Sequence, residues 1–329
     1  MQVSPSVRAV QVPDENPMHP QFTSIYVVGR GQVLTIDSGE AVDRYRWMLR
    51  GYLAATERAE VAQAALTHHH LDHAGNLKWV HENLKADILV PPDAVPLIQD
   101  QLPDSGVSTL HEGQRLDLGD GVVVQVLMTP GHSVDSVCYY LEEEGVLFSG
   151  DTLLGSSTTT VHDLADYYQS LHRLLALPNL SVICPGHGPL VHDPRERLQS
   201  YIDHREQRER QILTILAEGG EKTSWDIMLR LYTDIDPRLR RAADGNVRTH
   251  LAKLQKEGRL SVYEGVRKQP DEEQRAKQEE EAKRRAEVKG EAEKLAAEER
   301  RALLYAQENP PTEEWAIQPR YELVGAAEE

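Results

Sequence analysis

Cysteine is nearly absent. The only two residues, Cys138 and Cys184, sit in the apolar strand-like runs SVCYYL and VICPGHG, where buried free thiols are expected and a disulfide-stapled scaffold is excluded. No stretch approaches the roughly 20 consecutive apolar residues that a membrane-crossing helix needs. The opening MQVSPSVRAVQVPDENP has neither the apolar segment of a secretion signal nor the Arg-rich amphipathic character of an organelle-targeting one. A cytoplasmic protein that stays out of membranes is therefore expected. Cations are outnumbered, 36 Lys/Arg against 53 Asp/Glu, and the net charge of -17 argues against broad nucleic-acid affinity. The deficit is uneven, however. Residues 1–193 carry 10 Lys/Arg against 24 Asp/Glu, residues 194–262 carry 14 against 11, and residues 263–329 carry 12 against 18.

What is present begins at residue 22 as short β-branched runs alternating with amphipathic stretches. SIYVVGRGQVLTIDSG reads as a hairpin turning at Gly29-Arg30-Gly31, and the spacing of Tyr45, Met48, Leu49, Tyr52 and Leu53 marks a helix after it. AQAALT, ADILVP, GVVVQVLMTP, DSVCYYLEE, GVLFSG and LSVICP are further strand candidates. GNLKWVHENL and DLADYYQSLHRLLAL have helical spacing, the second with Asp163 as N-cap. Strands interleaved with helices and joined by hairpins predict an α/β fold, two sheets face to face with helices outside.

At Asp193-Pro194 a cap followed by proline predicts a long helix to about Leu216, ending before Gly219-Gly220. Helices over Ser224–Leu231 and Asn246–Lys256 and the strand-like RLSVYEG follow, the arithmetic of a winged helix. Residues 267–302 form a charged run with Glu279/Lys283, Glu280/Arg284 and Glu281/Arg285 at the favourable i,i+4 spacing, read as a solvated helix. The remainder, with Pro310, Pro311 and Pro319, reads as a disordered or surface-lying tail. The expected domains are 1–193, 194–262 and a charged helical or irregular tail, 263–329.

The candidate chemistry lies where strand-like runs end. Thr67-His68-His69-His70-Leu71-Asp72-His73 packs four imidazoles and a carboxylate into seven residues. Met128-Thr129-Pro130-Gly131-His132, Phe148-Ser149-Gly150-Asp151-Thr152 and Cys184-Pro185-Gly186-His187-Gly188 repeat the theme. Side chains just past strand ends would gather on one rim of a sandwich. Neutral imidazoles with hard carboxylates are the ligand mixture of zinc and related divalent metals.

These segments resemble the metallo-β-lactamase superfamily, whose THxHxDH block and downstream His, Asp and His match in order over about residues 22–193. The resemblance implies an αββα sandwich holding two Zn²⁺, or similar divalent metals, per chain. His68, His70 and His132 fall on one metal, Asp72, His73 and His187 on the other, and Asp151 bridges. His69 occupies the variable position and is not expected to ligate. Asp37, in LTIDSG, is a candidate for orienting a ligand histidine. Such a pair of cations activates water near neutral pH and polarises the acceptor oxygen. Asp72 and Asp151 are the candidates for moving the proton, and the sequence does not choose between them.

The superfamily acts on β-lactams, thioesters, lactones and phosphodiesters, so fold alone does not select the substrate. Only 35 residues separate Asp151 from His187, too few for the large insert of its RNA-processing and DNA-repair nucleases. GDTLLGSSTTTVHDLADYYQSL, CPGHGPLVHDPRERLQSYIDHREQRERQIL and NVRTHLAKLQKEGRL are similar to the β-lactamase-like protein 2 family of endoribonucleases, to about residue 262. That resemblance implies cleavage of single-stranded RNA, with His250 near the mouth of the site. Arg238, Arg240, Arg241 and Arg248 are candidates for guiding the backbone, although an exposed helix carries arginines without any such role. The alternative is a small acyl substrate, as in the fungal polyketide thioesterases of similar architecture, the winged helix then serving as lid and homodimer surface.

Overall fold

The computed structural model of the protein describes residues 1–13, 21–56, 59–268 and 315–324. The chain divides into two compact units, Met1–Glu206 and Gln207–Glu329. The division falls inside a helix, α5 (Pro194–Leu216), whose N-terminus is the 193/194 boundary drawn from the sequence.

In the first unit, strands β1 (Gln2–Ser4), β2 (Val7–Pro13), β3 (Phe22–Arg30), β4 (Gln32–Ile36), β5 (Glu60–Ala65), β6 (Asp87–Val90) and β7 (Val107–Thr109) form one sheet in that spatial order. Pairing is antiparallel from β1 to β4 and parallel from β4 to β7. The second sheet runs β12 (Val182–Pro185), β11 (Val146–Gly150), β10 (Val137–Leu141), β9 (Val123–Met128), β8 (Arg115–Asp117), with β11 and β12 parallel. Period-2 alternation explains how the sheets stack. Tyr26 and Val28 of β3 face Val126, Tyr139 and Phe148 in the inter-sheet core, while Ile25 and Val27 point to the outer face. That outer face is covered by Tyr45, Leu49 and Leu53 of α1 (Asp43–Thr56) and by Leu77 and Val80 of α3 (Leu77–Leu84). On the other side, Tyr167 and Leu171 of α4 (Leu164–Leu175) and Leu198 and Tyr201 of α5 cover Tyr140, Leu147 and Ile183. The sandwich has the expected layers, and each fully buried side chain of this size contributes about 1.5–3 kcal/mol relative to exposure.

Strands β1 and β2 precede the first strand read from the sequence. The signal in VRAVQVP is masked by Arg8, which is only 1% exposed and donates through Nη1 to Ser6 O at 3.0 Å and Gly29 O at 2.6 Å. A buried arginine counts as polar in any hydrophobic pattern. The Asp163 cap is as expected, its side chain accepting from the N–H groups of Ala165 and Asp166.

The second unit contains β13 (Lys222–Thr223), α6 (Ser224–Leu231), α7 (Arg240–Lys256), β14 (Leu260–Tyr263), β15 (Val266–Arg267), β16 (Trp315–Ile317) and β17 (Arg320–Leu323). Thr223 and Asp226 form a reciprocal capping box at the start of α6. Ile212, Leu216, Trp225, Met228, Val247, Leu251 and Leu254 make its core. The winged-helix order is present, with two differences from the sequence reading. First, α7 begins at Arg240, six residues earlier than Asn246, and Gly245 lies within the helix. Second, the expected tail contributes strands: β15 pairs with β16, β17 sits between β13 and β14, and Tyr321 and Leu323 pack on the core. A four-residue alternation beside prolines is too short to stand out in sequence. The expected charged helix lies, from residue 269 on, outside the described residues. Among the described residues no helix is long and apolar enough to cross a membrane.

Candidate metal centre

Asp37 directly follows β4, His68 lies just past β5, His132 past β9, Asp151 directly follows β11, and His187 lies just past β12. Placing chemistry outside the carboxyl ends of strands is the general habit of such sheets. The single-turn helix α2 (Leu71–Ala74) carries Asp72 and His73, with His70 as its N-cap residue. Two groups result: His68, His70, His132 and Asp151 in one, and Asp72, His73 and His187 in the other. Within each, one donor atom per residue lies within 4.8 Å of the others.

In the first group His70 Nδ1 lies 2.9 Å from His68 Nε2 and 3.3 Å from His132 Nε2. In the second, His73 Nε2 and His187 Nε2 are 3.2 Å apart, and Asp72 Oδ2 lies 3.4 and 3.0 Å from them. Asp151 turns both oxygens toward the second group as well, Oδ1 at 3.4 Å from His73 Nε2 and Oδ2 at 3.3 Å from His187 Nε2.

The outward ring nitrogens fix which inward nitrogens carry lone pairs. His132 Nδ1 donates to the Thr160 carbonyl at 2.8 Å, with Thr159 Oγ1 also 2.9 Å away, and His73 Nδ1 donates to Asp37 Oδ2 at 2.7 Å. Thr67 Oγ1 donates to Asp37 Oδ2 at 2.9 Å and so accepts from His68 Nδ1 at 3.0 Å. His187 Nδ1 lies 3.0 Å from Thr23 Oγ1. Neutral His70 supplies at most one proton to the three nitrogens of its group, leaving at least two lone pairs aimed into one gap. Asp151 Oδ1 is buried without a hydrogen-bond partner. Lone pairs converging on buried space in the first group, and in the second two imidazole nitrogens that deprotonation would free beside the Asp72 and Asp151 carboxylates, fit divalent cations at both groups. Gly186 leaves the room: a Cβ there would lie 2.4 Å from Asp151 Oδ1 and 2.6 Å from His73 Cε1.

Electrostatics separate the two groups. Burial, together with the neighbouring imidazoles, holds His68 well below the usual histidine range and His70 at about 4. Burial also opposes protonation of His73 and His187, but the carboxylates outweigh it. Asp72, Asp37 and Asp151 raise His73, and Asp151 and Asp72 push His187 up to about 9. Asp151, despite burial, is held well below the carboxylate range by His187 and His73. A cation entering the second group would have to displace protons, whereas the histidines of the first group are held deprotonated.

Asp37 is placed to orient His73 and does more: its Oδ1 accepts from Thr67 N–H at 2.8 Å, and its φ of 64° is a left-handed conformation held at a buried position. His69 belongs to neither group; its Nδ1 lies 2.7 Å from Asp135 Oδ1. The remaining candidates lie in the second unit. Arg238 pairs with Asp236 at 2.6 Å, Arg248 with Asp244 at 3.1 Å, Arg240 and Arg241 open α7, and His250 is buried 4.0 Å from Glu209. Sequence reasoning missed Thr23, Thr67, Thr160 and Asp135. Only Thr67, adjoining the histidine block, carried a local signal.

The family description "Metallo-beta-lactamase superfamily" matches residues 19–187, and "Beta-lactamase associated winged helix domain" matches residues 223–266. A Beta-lactamase-like protein 2 homolog of Caenorhabditis elegans is 35% identical over 262 residues, 78% of this chain and 86% of that protein. The Atrochrysone carboxyl ACP thioesterase of Aspergillus fumigatus is 37% identical over 215 residues, 64% of this chain and 65% of that protein. Among solved structures, a metallo-beta-lactamase family protein of Thermus thermophilus superposes with a TM-score of 0.65 at 26% identity, covering 79% of this chain and 96% of that one.

Proposed function

The chain belongs to the metallo-beta-lactamase superfamily, and we propose that it uses two divalent cations, zinc being the first candidate, to hydrolyse phosphodiester bonds in single-stranded RNA. In this reading His68, His70 and His132 would hold one cation and Asp72, His73 and His187 the other, with Asp151, whose oxygens lie near both groups, available to each. Such a pair supplies Lewis-acid polarisation of the substrate and activation of water at neutral pH. Asp37 and Thr67 lock the rings of His73 and His68, and Thr160 O locks His132, so that the donor atoms are set before substrate arrives. Asp72 or Asp151 would assist proton movement in this reading, each carboxylate lying within 3.4 Å of His73 Nε2 and His187 Nε2.

The observation that carries the RNA reading is α7. RRAADGNVRTHLAKLQK bears Arg240, Arg241, Arg248, Lys253 and Lys256 against Asp244 alone, in a chain of net charge -17. In helix-turn-helix proteins a helix of this rank faces the polyanion, and its cations give salt-dependent, sequence-tolerant affinity. A second reading, hydrolysis of an acyl thioester, is favoured by two apolar side chains beside the ligands, Leu71 and Val134, exposed to 58% and 53%, and by the thioesterase relative. Metal-loaded protein incubated with labelled single-stranded RNA and with an acyl-coenzyme A panel, each with and without chelator, decides between them. RNA cleavage abolished by chelator, and lost in a folded Asp72→Ala variant, is the expected result. Thioester turnover without RNA cleavage would overturn it.

A further inference from the structure

His69 is the member of the histidine block that neither metal group uses, yet its ring is tied to a buried carboxylate. Its Nδ1 meets Asp135 Oδ1 at 2.7 Å, and the Asp135 side chain is completely buried. That anchorage fixes the ring at one wall of a cleft of about 460 Å³, lined by His69, His70, Leu71, Pro96, Leu97 and the run Gln99–Gln101. The volume is in the range of small-molecule sites. His70 belongs at once to this wall and to the first metal group, so the cleft opens directly onto the reacting centre.

The chemistry of the wall restricts its occupant. Neither Lys nor Arg lines it, and Asp100 adds a negative charge, so the lining itself offers little to a phosphate or a carboxylate. An acyl chain would cover the amides of Gln99 and Gln101 and the Asp100 carboxylate without hydrogen-bonding them. A flat heterocycle satisfies both kinds of surface, its faces against His69, Leu71 and the half-exposed Leu97 and its polar edge toward the amides and carboxylate. We propose that this cleft is a nucleobase subsite, seating the base next to the scissile phosphodiester, with His69 held by Asp135 as a positioning residue. The proposal rests on the RNA reading for its biological sense, but base binding can be measured apart from cleavage.

Two experiments separate them. Uncharged nucleosides are titrated onto the metal-free protein and followed by saturation-transfer NMR, with ribose 5-phosphate and an acyl-pantetheine as comparison ligands. Nucleosides are expected to bind, and Leu97→Glu and Asp135→Asn to weaken them tenfold or more. With metal-loaded protein, whose content of two ions is checked for each variant, Asp100→Asn and Gln101→Ala are expected to change the ratio of kcat/KM among the four RNA homopolymers by tenfold or more, chiefly through KM. An unchanged base profile with RNA still cleaved would overturn the subsite and leave the RNA reading standing. Nucleoside binding without RNA cleavage would do the reverse. Preferential binding of the acyl-pantetheine, lost in Leu97→Glu, would assign the cleft to an acyl group and overturn the subsite.

Discussion

Asp37 and His73 are 36 residues apart in sequence, and their side chains meet at 2.7 Å in the interior. The same carboxylate accepts from the Thr67 amide and hydroxyl, so one residue sets both His73 and the turn that launches His68. In Asp37→Ala the ligands remain but their orientation is lost. Cation affinity of the Asp72, His73, His187 group is expected to fall about 10–100-fold, measured by competition with a chromophoric chelator. The stranded Thr67 donors cost about 1–3 kcal/mol of stability, read from chemical denaturation.

Gly186→Ala tests the room left for a cation. Its Cβ would collide with Asp151 Oδ1 and His73 Cε1, groups that cannot retreat because both are buried. Elemental analysis is expected to find fewer than two ions per chain, and displacement of about 1 Å at the reacting centre lowers activity about 100-fold. Two ions with full activity would contradict the proposed roles.

The second metal group should release protons when it fills. His187 is pushed up to about 9 in the metal-free protein, so at pH 7 its ring is protonated and must lose that proton to coordinate. Cation affinity should rise with pH up to about 9 and drop below it, and calorimetry in buffers of different ionisation enthalpy should register the release. Because the folded pKa is raised, the metal-free fold has the opposite dependence: the stabilisation is complete below the unfolded histidine value of about 6.5 and is lost as pH climbs through 9. His70, held at about 4, contributes no such release near neutrality.

In the second unit Glu209 faces His250 at 4.0 Å and Lys253 at 2.8 Å, and these partners hold its carboxyl at about 2 against the cost of burial. A depressed carboxylate stabilises above its unfolded value and loses that contribution as pH falls from about 4.5 through 2. Glu209→Gln should remove about 1–3 kcal/mol and flatten the acid dependence, seen as faster amide exchange along α7.

The amino-acid sequence alone determined what is local. Residue types and spacing made the ligand block legible, Asp163 and Pro194 marked helix starts through capping and φ restriction, and alternation in IYVV marked a strand with two faces. Each of these is an interaction among neighbours in the chain, so its signature is contiguous. Tertiary structure decided what depends on register between distant segments. The backbone bridge between Thr23 and His187 brings a hydroxyl to an imidazole 164 residues away, and Asp135 reaches His69 across 66. Neither carries a spacing rule, because sheet pairing rather than chain distance sets which side chains meet. The same holds for β17, whose four residues become a central strand only through the edges that β13 and β14 offer it. The placement of Asp37, Asp72 and Asp151 then supplied the last distinction, between histidines deprotonated by desolvation and equally buried histidines protonated by neighbouring carboxylates, which identical residue types in one motif do not disclose.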